Sequence, residues 1–209
     1  YTRVFLGLLA LYFMPTSPLL ACSSYMLSSI LDAFDGYAAR LLNQCSKFGA
    51  ILDMLTDRCA TMCLLVNLSL LYPQYIFLFQ LSMILDISSH WLHLHSITMT
   101  GGGSHKKIDL SGNPILRVYY NNMVVLFFMC AGNELFYAMM YLLNFMEGPA
   151  VPVLGIGLFR LLVWLSLPVC VVKSAISVVH LVTASRNMAA SDRADRRRGV
   201  APCDGEKGD

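Results

Sequence analysis

The chain has 209 residues, of which 56% are hydrophobic and 13% charged, with a mean hydropathy of +0.59. A soluble domain carries about 25% charged residues, so this surface cannot cover a water-facing globule and the excess apolar mass calls for lipid as its solvent. The net charge of +2 gives no ground for a nucleic-acid partner.

Apolar segments follow one another along the chain with short punctuation. The first runs from Tyr1 to Met14, too short to span a hydrocarbon core of about 30 Å unaided, and is expected to be the remnant of a helix truncated at its start. It stops at Pro15-Thr16-Ser17-Pro18, because proline cannot continue a helix. The second runs from Leu19 to Arg40, the third from Phe48 to Tyr72, the fourth from Tyr75 to His95. A glycine-rich loop, Thr100 to Ser104, leads into a charged stretch from His105 to Arg117. The fifth segment covers Leu116 to Phe145, and the sixth Gly155 to Arg186. Backbone groups have no partners in lipid, so spanning segments of this length are helices. Even, alternating ten-residue strands are missing, which argues against a β-barrel.

Charge orients these segments. Arg40 and Lys47 separate segments two and three, Lys106, Lys107 and Arg117 separate four and five, and Arg186 to Lys207 follow six. The connections at 15–18, 73–74 and 147–154 carry no Lys or Arg. Six helices put every basic connection on one face, which the positive-inside rule makes cytoplasmic. The expected fold class is therefore all-α: a polytopic membrane protein with six transmembrane helices, spanning 1–190. A basic tail, 191–209, is expected to be disordered and to lie on the cytoplasmic side. Cys22, Cys59, Cys63, Cys130 and Cys170 sit in apolar runs without a C-x-x-C pair, and are expected to be small buried hydrophobes rather than zinc or redox sites.

Four acids break the apolar pattern. Asp32 and Asp35 are three apart on segment two, and Asp53 and Asp57 four apart on segment three, so each pair shares one helix face. A lone Asp at a helix centre costs about 2.5–3.5 kcal/mol on insertion scales. The short connection Leu41 to Lys47 makes the two helices antiparallel neighbours, and lets the acidic faces meet. Four carboxylates in that setting need counter-charge. Two divalent cations would supply it, and hard oxygen ligands suit Mg²⁺ or Mn²⁺. The plainer reading pairs the acids with Arg40 and Arg58 alone. Gly36, Ala39 and Gly49 lie among them, small enough for close helix contact or a ligand.

The run Asp32-Ala33-Phe34-Asp35-Gly36-Tyr37-Ala38-Ala39-Arg40, then Gly49, Asp53 and Asp57 at their spacing, resembles the signature of the CDP-alcohol phosphotransferase family at every specified position. Beyond the signature, four stretches resemble the inositol-using branch of that family, the eukaryotic phosphatidylinositol synthases. They are Ser89 to His93, Ser104 to Pro114, Cys130 to Tyr137 and Ser185 to Ala190. The resemblance implies phosphatidyl transfer from CDP-diacylglycerol to myo-inositol, giving phosphatidylinositol and CMP. It implies two ions, Mg²⁺ or Mn²⁺, held by Asp32, Asp35, Asp53 and Asp57, with Asp57 also the general base. It assigns Gly36, Arg40 and Ser46 to CDP-diacylglycerol, the endoplasmic reticulum membrane as the location, and a homodimer as the assembly.

The acceptor pocket is less legible. Lys106, Asn113 and Arg117, in the polar stretch on the cytoplasmic face, are candidates for holding inositol, against the plainer reading of a basic loop on anionic lipid. Asp86, His90, His93 and His95 read as a metal group, as polar lining of the acceptor cavity, or as packing. Glu134 and Lys173 are deep charges, functional or structural, and Arg160 is expected to snorkel. Other family members use glycerol phosphate, serine, or a CDP-choline or CDP-ethanolamine donor, and the aspartate motif does not separate these. A cation transporter and a non-catalytic scaffold are the alternatives of other classes; neither explains Gly36, Ala39 and Arg40 at their spacing. The topology makes a direct prediction. In a background without native reactive cysteines, a cysteine at 102 reacts with an impermeant reagent from the cytoplasmic side and one at 74 only from the opposite side. Labelling of both from one side overturns the six-helix arrangement.

Overall fold

A computed structural model of the chain describes residues 2–44, 46–100, 122–152 and 155–197, without the side chains of 33, 35, 37, 39, 40, 47, 93, 96–100, 123, 194, 195 and 197. Six α-helices make up nearly all of the described residues: α1 (Thr2–Phe13), α2 (Pro18–Leu41), α3 (Lys47–Leu71), α4 (Ile76–Thr100), α5 (Met123–Leu143) and α6 (Leu158–Arg197). The helix boundaries follow local chemistry. α2 ends where Asn43 takes a φ of 53°, a left-handed residue just past a helix C-terminus. Pro73 opens a short 3-10 turn, Pro73–Tyr75, between α3 and α4. The Asn122 side chain accepts from the amides of Val124 and Val125 and so caps α5. Pro168 lies inside α6 without stopping it, as helices in lipid tolerate.

Two findings differ from the expected all-α tally. Ala150–Val151 and Ile156–Gly157 pair as a small antiparallel β1–β2 hairpin between α5 and α6. It depends on Gly157, where a Cβ would lie 2.2 Å from the Glu147 carbonyl oxygen. Also, α6 continues to Arg197, several residues into the stretch expected to be a disordered tail; 198–209 lie outside the described residues.

Among the described residues, three helical stretches are long and apolar enough to cross a membrane: Phe48–Leu71, Val124–Leu143 and Leu158–Arg193. Of the rest, α1 is short, α2 carries two aspartates and Ser23, Ser24, Ser28 and Ser29, and α4 carries Asp86 and its histidines. Leu70, Phe77, Ile84, Phe128, Trp164 and Leu165 are exposed, as lipid-facing side chains are. Cys22 and Cys170 are buried, Cys63 and Cys130 half-buried and Cys59 exposed, so the expectation of burial fails for Cys59; a helix face turned to lipid takes a thiol as readily as the interior does.

The chain divides into two compact units, Tyr1–Ile84 with Phe127–Lys173, and Leu85–Leu126 with Ser174–Asp209. The core of the first gathers Ala10 and Met14 from α1, Ala21, Cys22 and Tyr25 from α2, Leu64, Leu65 and Leu68 from α3, and Tyr137 to Leu142 from α5. Polar tips inside it are matched. The Tyr141 hydroxyl, on a residue 1% exposed, donates to the Met14 carbonyl at 2.6 Å, and Tyr72 donates to the Met140 carbonyl at 3.0 Å. Both join one helix end to another helix. Tyr141→Phe leaves the Met14 carbonyl without its donor, at a cost of about 1–3 kcal/mol, so thermal unfolding of the purified variant in detergent occurs at a lower temperature than that of the parent.

Candidate functional site

The site begins on α1. Its helix packs along α2 and also touches α3, which places Arg3 between the two acid-bearing helices. Arg3 is 7% exposed. Its backbone carbonyl accepts from the buried Ser28 hydroxyl at 2.9 Å, which ties this turn of α1 to α2. From there the guanidinium reaches three carboxylates. Nη1 lies 2.5 Å from Asp32 Oδ1 and also donates to Asp53 Oδ1, while Nη2 donates to Asp57 Oδ1. Arg58 Nη2 is 3.8 Å from Asp57 Oδ2.

The helix spacing of the acids thus works as expected within α3, where Asp53 and Asp57 turn to one partner. The acidic faces of α2 and α3 also meet as expected, with the Asp32 side chain against that of Asp53. What was not expected is that a third helix supplies the group they converge on. Arg3 carried a weak signal in the sequence, an arginine in an otherwise apolar run. Asp35 and Arg40 lie on α2, with side chains outside the described residues. Lys106, Asn113 and Arg117 lie wholly outside them.

A second network stands one turn away. Thr61, four residues after Asp57, has its hydroxyl 3.0 Å from both the Asp57 carbonyl and Glu134 Oε1. The Tyr25 hydroxyl donates to Glu134 Oε2 at 2.5 Å. Glu134, from α5, therefore grips the same two helices that carry the acids, and no ion pair joins it to Lys173 among the described residues. At the opening of α3, Ser46 is the N-cap and accepts from the Gly49 amide at 2.9 Å. A Cβ on Gly49 would stand 2.9 Å from that hydroxyl, so the glycine keeps the cap in place. Gly36 is half-buried on α2, one turn beyond Asp32.

In the other unit, the Asp86 carbonyl accepts from His90 Nδ1 at 2.7 Å and from the fully buried Ser89 hydroxyl at 3.1 Å. A carbonyl only accepts, so the proton sits on His90 Nδ1. The buried His180 ring stands edge-on to His90 at 6.4 Å. Arg160, expected to snorkel, pairs with Glu147 at the hairpin.

Whether the site could hold a metal turns on its donors. Among the described residues no group of three His, Cys, Asp or Glu side chains is gathered on a single point. Asp32, Asp53 and Asp57 are instead arrayed around a guanidinium. Still, three carboxylates from two helices converge on one cation, and an oxygen-only set of this kind suits a hard divalent ion. The residues fit such an ion by chemistry.

Long apolar helices around carboxylates gathered on a buried arginine define an integral membrane protein with an acidic cluster. The CDP-alcohol phosphatidyltransferase family model matches residues 1–172. The chain belongs to that family of transferases and is an enzyme. It is 62% identical over 198 residues to the CDP-diacylglycerol–inositol 3-phosphatidyltransferase of Rattus norvegicus, covering 95% of this chain and 92% of the relative. With the Homo sapiens protein of that name it shares 60% over the same length and coverage. With the Saccharomyces cerevisiae one it shares 38% over 192 residues, 92% of this chain and 84% of the relative. No solved structure matches the chain.

Glu134 offers a test of how the site is braced. Glu134→Leu strands the buried Tyr25 hydroxyl, at about 1–3 kcal/mol, and loosens α2 against α3, whereas Glu134→Gln keeps an acceptor for it. Thermal unfolding in detergent places the Leu variant clearly below the parent and the Gln variant between them; equal stability for all three rules out the brace.

Proposed function

We propose that the chain transfers the phosphatidyl group of CDP-diacylglycerol to myo-inositol, forming phosphatidylinositol and releasing CMP. The observation that carries this is 60–62% identity, over more than nine-tenths of both chains, to mammalian proteins named for that reaction. The carboxylate cluster of a matching family signature supports it.

Roles follow from the chemistry of each group. Asp32, Asp35, Asp53 and Asp57 would hold two divalent ions, Mg²⁺ or Mn²⁺. Bound there, the ions supply positive charge to the donor's diphosphate as Lewis acids. Asp57 takes the proton of the attacking inositol hydroxyl, a group too weakly acidic to lose it unaided at neutral pH. The hydroxyl oxygen then bonds to the phosphorus of the lipid-bearing phosphate, and the bond from that phosphorus to the oxygen of CMP breaks. Arg40 presents a planar fork to phosphate oxygens, with Gly36 leaving room for the nucleotide and Ser46 at its edge. Lys106, Asn113 and Arg117 are the proposed inositol contacts.

The setting suits the substrates. A diacylglycerol tail enters from lipid, inositol arrives through water, and a site at the cytoplasmic ends of six spanning helices in the endoplasmic reticulum membrane serves both. A homodimer is the proposed assembly.

Purified protein in detergent, given CDP-diacylglycerol, Mn²⁺ or Mg²⁺, and a panel of inositol, glycerol phosphate and serine, releases CMP with inositol. Release with glycerol phosphate or serine and none with inositol overturns the acceptor assignment. Asp57→Asn retains CDP-diacylglycerol binding while turnover falls by about 10²–10⁴, the usual contribution of a positioned base; a near-normal rate removes Asp57 from that role.

A further inference from the structure

We propose that Arg3 is the resident counter-cation of the carboxylate cluster, a positioning residue that holds Asp32, Asp53 and Asp57 together and competes with the divalent ion for them. The inference rests on the metal-binding reading of those acids given above. Its starting point is that one oxygen of each carboxylate, Asp32 Oδ1, Asp53 Oδ1 and Asp57 Oδ1, meets the Arg3 guanidinium. Carboxylates whose charge is already offset by one close cation attract a second less strongly. A guanidinium does not lose its proton in a protein, so it cannot step aside by becoming neutral. It has to move.

Three further features favour a built-in device over a chance ion pair. Arg3 is 7% exposed, so its charge is not held at a water-facing rim. Its turn of α1 is pinned by the Ser28 hydroxyl on the Arg3 carbonyl, which fixes the backbone from which the guanidinium reaches the acids. Finally, Arg3 Nε is buried and has no hydrogen-bond partner. A buried donor without an acceptor is costly. The three carboxylates therefore do not complete the guanidinium's hydrogen bonding.

The physical benefit is continuity of charge. Three carboxylates left together among apolar helices repel one another and spread, and the ion would then have to reassemble its own ligands. Arg3 keeps them convergent between turnovers. The cost is affinity, because every ion that binds displaces an existing partner.

The test uses the full-length protein in detergent, with Mn²⁺ as the probe and its free concentration read by electron paramagnetic resonance. Arg3→Gln shortens the side chain, keeps it polar and removes the charge; its Mn²⁺ dissociation constant falls by about tenfold or more, one factor of ten being about 1.4 kcal/mol. Its unfolding temperature in chelator drops below the parent's, and the gap closes in saturating Mn²⁺. Arg3→Lys, a point charge without the fork, lies between the two on both measures. An unchanged or weaker Mn²⁺ affinity in Arg3→Gln overturns the competition. Should Arg3→Gln not fold, the parent and Arg3→Lys decide it: an equal Mn²⁺ affinity in those two overturns the proposal, a tighter one in Arg3→Lys supports it. If the parent binds no Mn²⁺ at all, it is the metal reading of the aspartates that fails, and the ion pairs of Arg3 are purely structural.

Discussion

The structure around the site depends on one constraint: carboxylates in an apolar surrounding must share positive charge. Asp32, Asp53 and Asp57 come from two helices and meet a single guanidinium from a third. That convergence sets where α1 lies, since Arg3 cannot serve α2 and α3 at once unless its helix packs on the first and touches the second. The Ser28 hydroxyl on the Arg3 carbonyl then holds the turn in place. An ion pair at a water-facing surface is worth about 0–1 kcal/mol. One held against α2 by a buried arginine is costly to break, because removing one partner strands the other.

The polar groups beneath the site extend the same logic. Glu134 accepts from Tyr25 on α2 and Thr61 on α3, so a carboxylate braces from below the helices that Arg3 joins from above. Thr61 sits one turn from Asp57 and contacts its backbone carbonyl. The two networks are thereby linked through α3. A proposed general base needs a fixed position more than it needs an unusual acidity, and this scaffold supplies position from both sides.

The relation between family and substrate is of a different kind. The aspartate signature and the match over residues 1–172 define a chemistry on CDP-linked donors. They are silent on the acceptor. The inositol assignment rests on identity over nearly the whole chain to proteins named for inositol transfer. In the second unit, Asp86, Ser89, His90 and His180 form a polar group tied internally by the Asp86 carbonyl and a ring contact.

How much was legible beforehand follows from the range of each force. The approximate limits of the described helices were readable because apolar runs and prolines act locally, as at Pro18 and Pro73. The pairing of Asp53 with Asp57 was readable because a separation of four fixes one face of a helix whatever surrounds it. The extension of α6 to Arg197 and the β1–β2 hairpin were not: the first is decided by helix propagation past a charged composition, the second by the close approach of Gly157 to the Glu147 backbone. Arg3 is the clearest case. Its residue type and apolar neighbours announced a charge in need of a partner, yet which acids it meets lies 29 to 54 residues away along the chain. The sequence by itself determined that this protein lives in lipid and carries four aspartates needing positive charge, because composition and helical periodicity are local properties. Only the tertiary structure decided that α1 brings a guanidinium to three of them, because helix packing alone chooses among distant partners of equal chemistry.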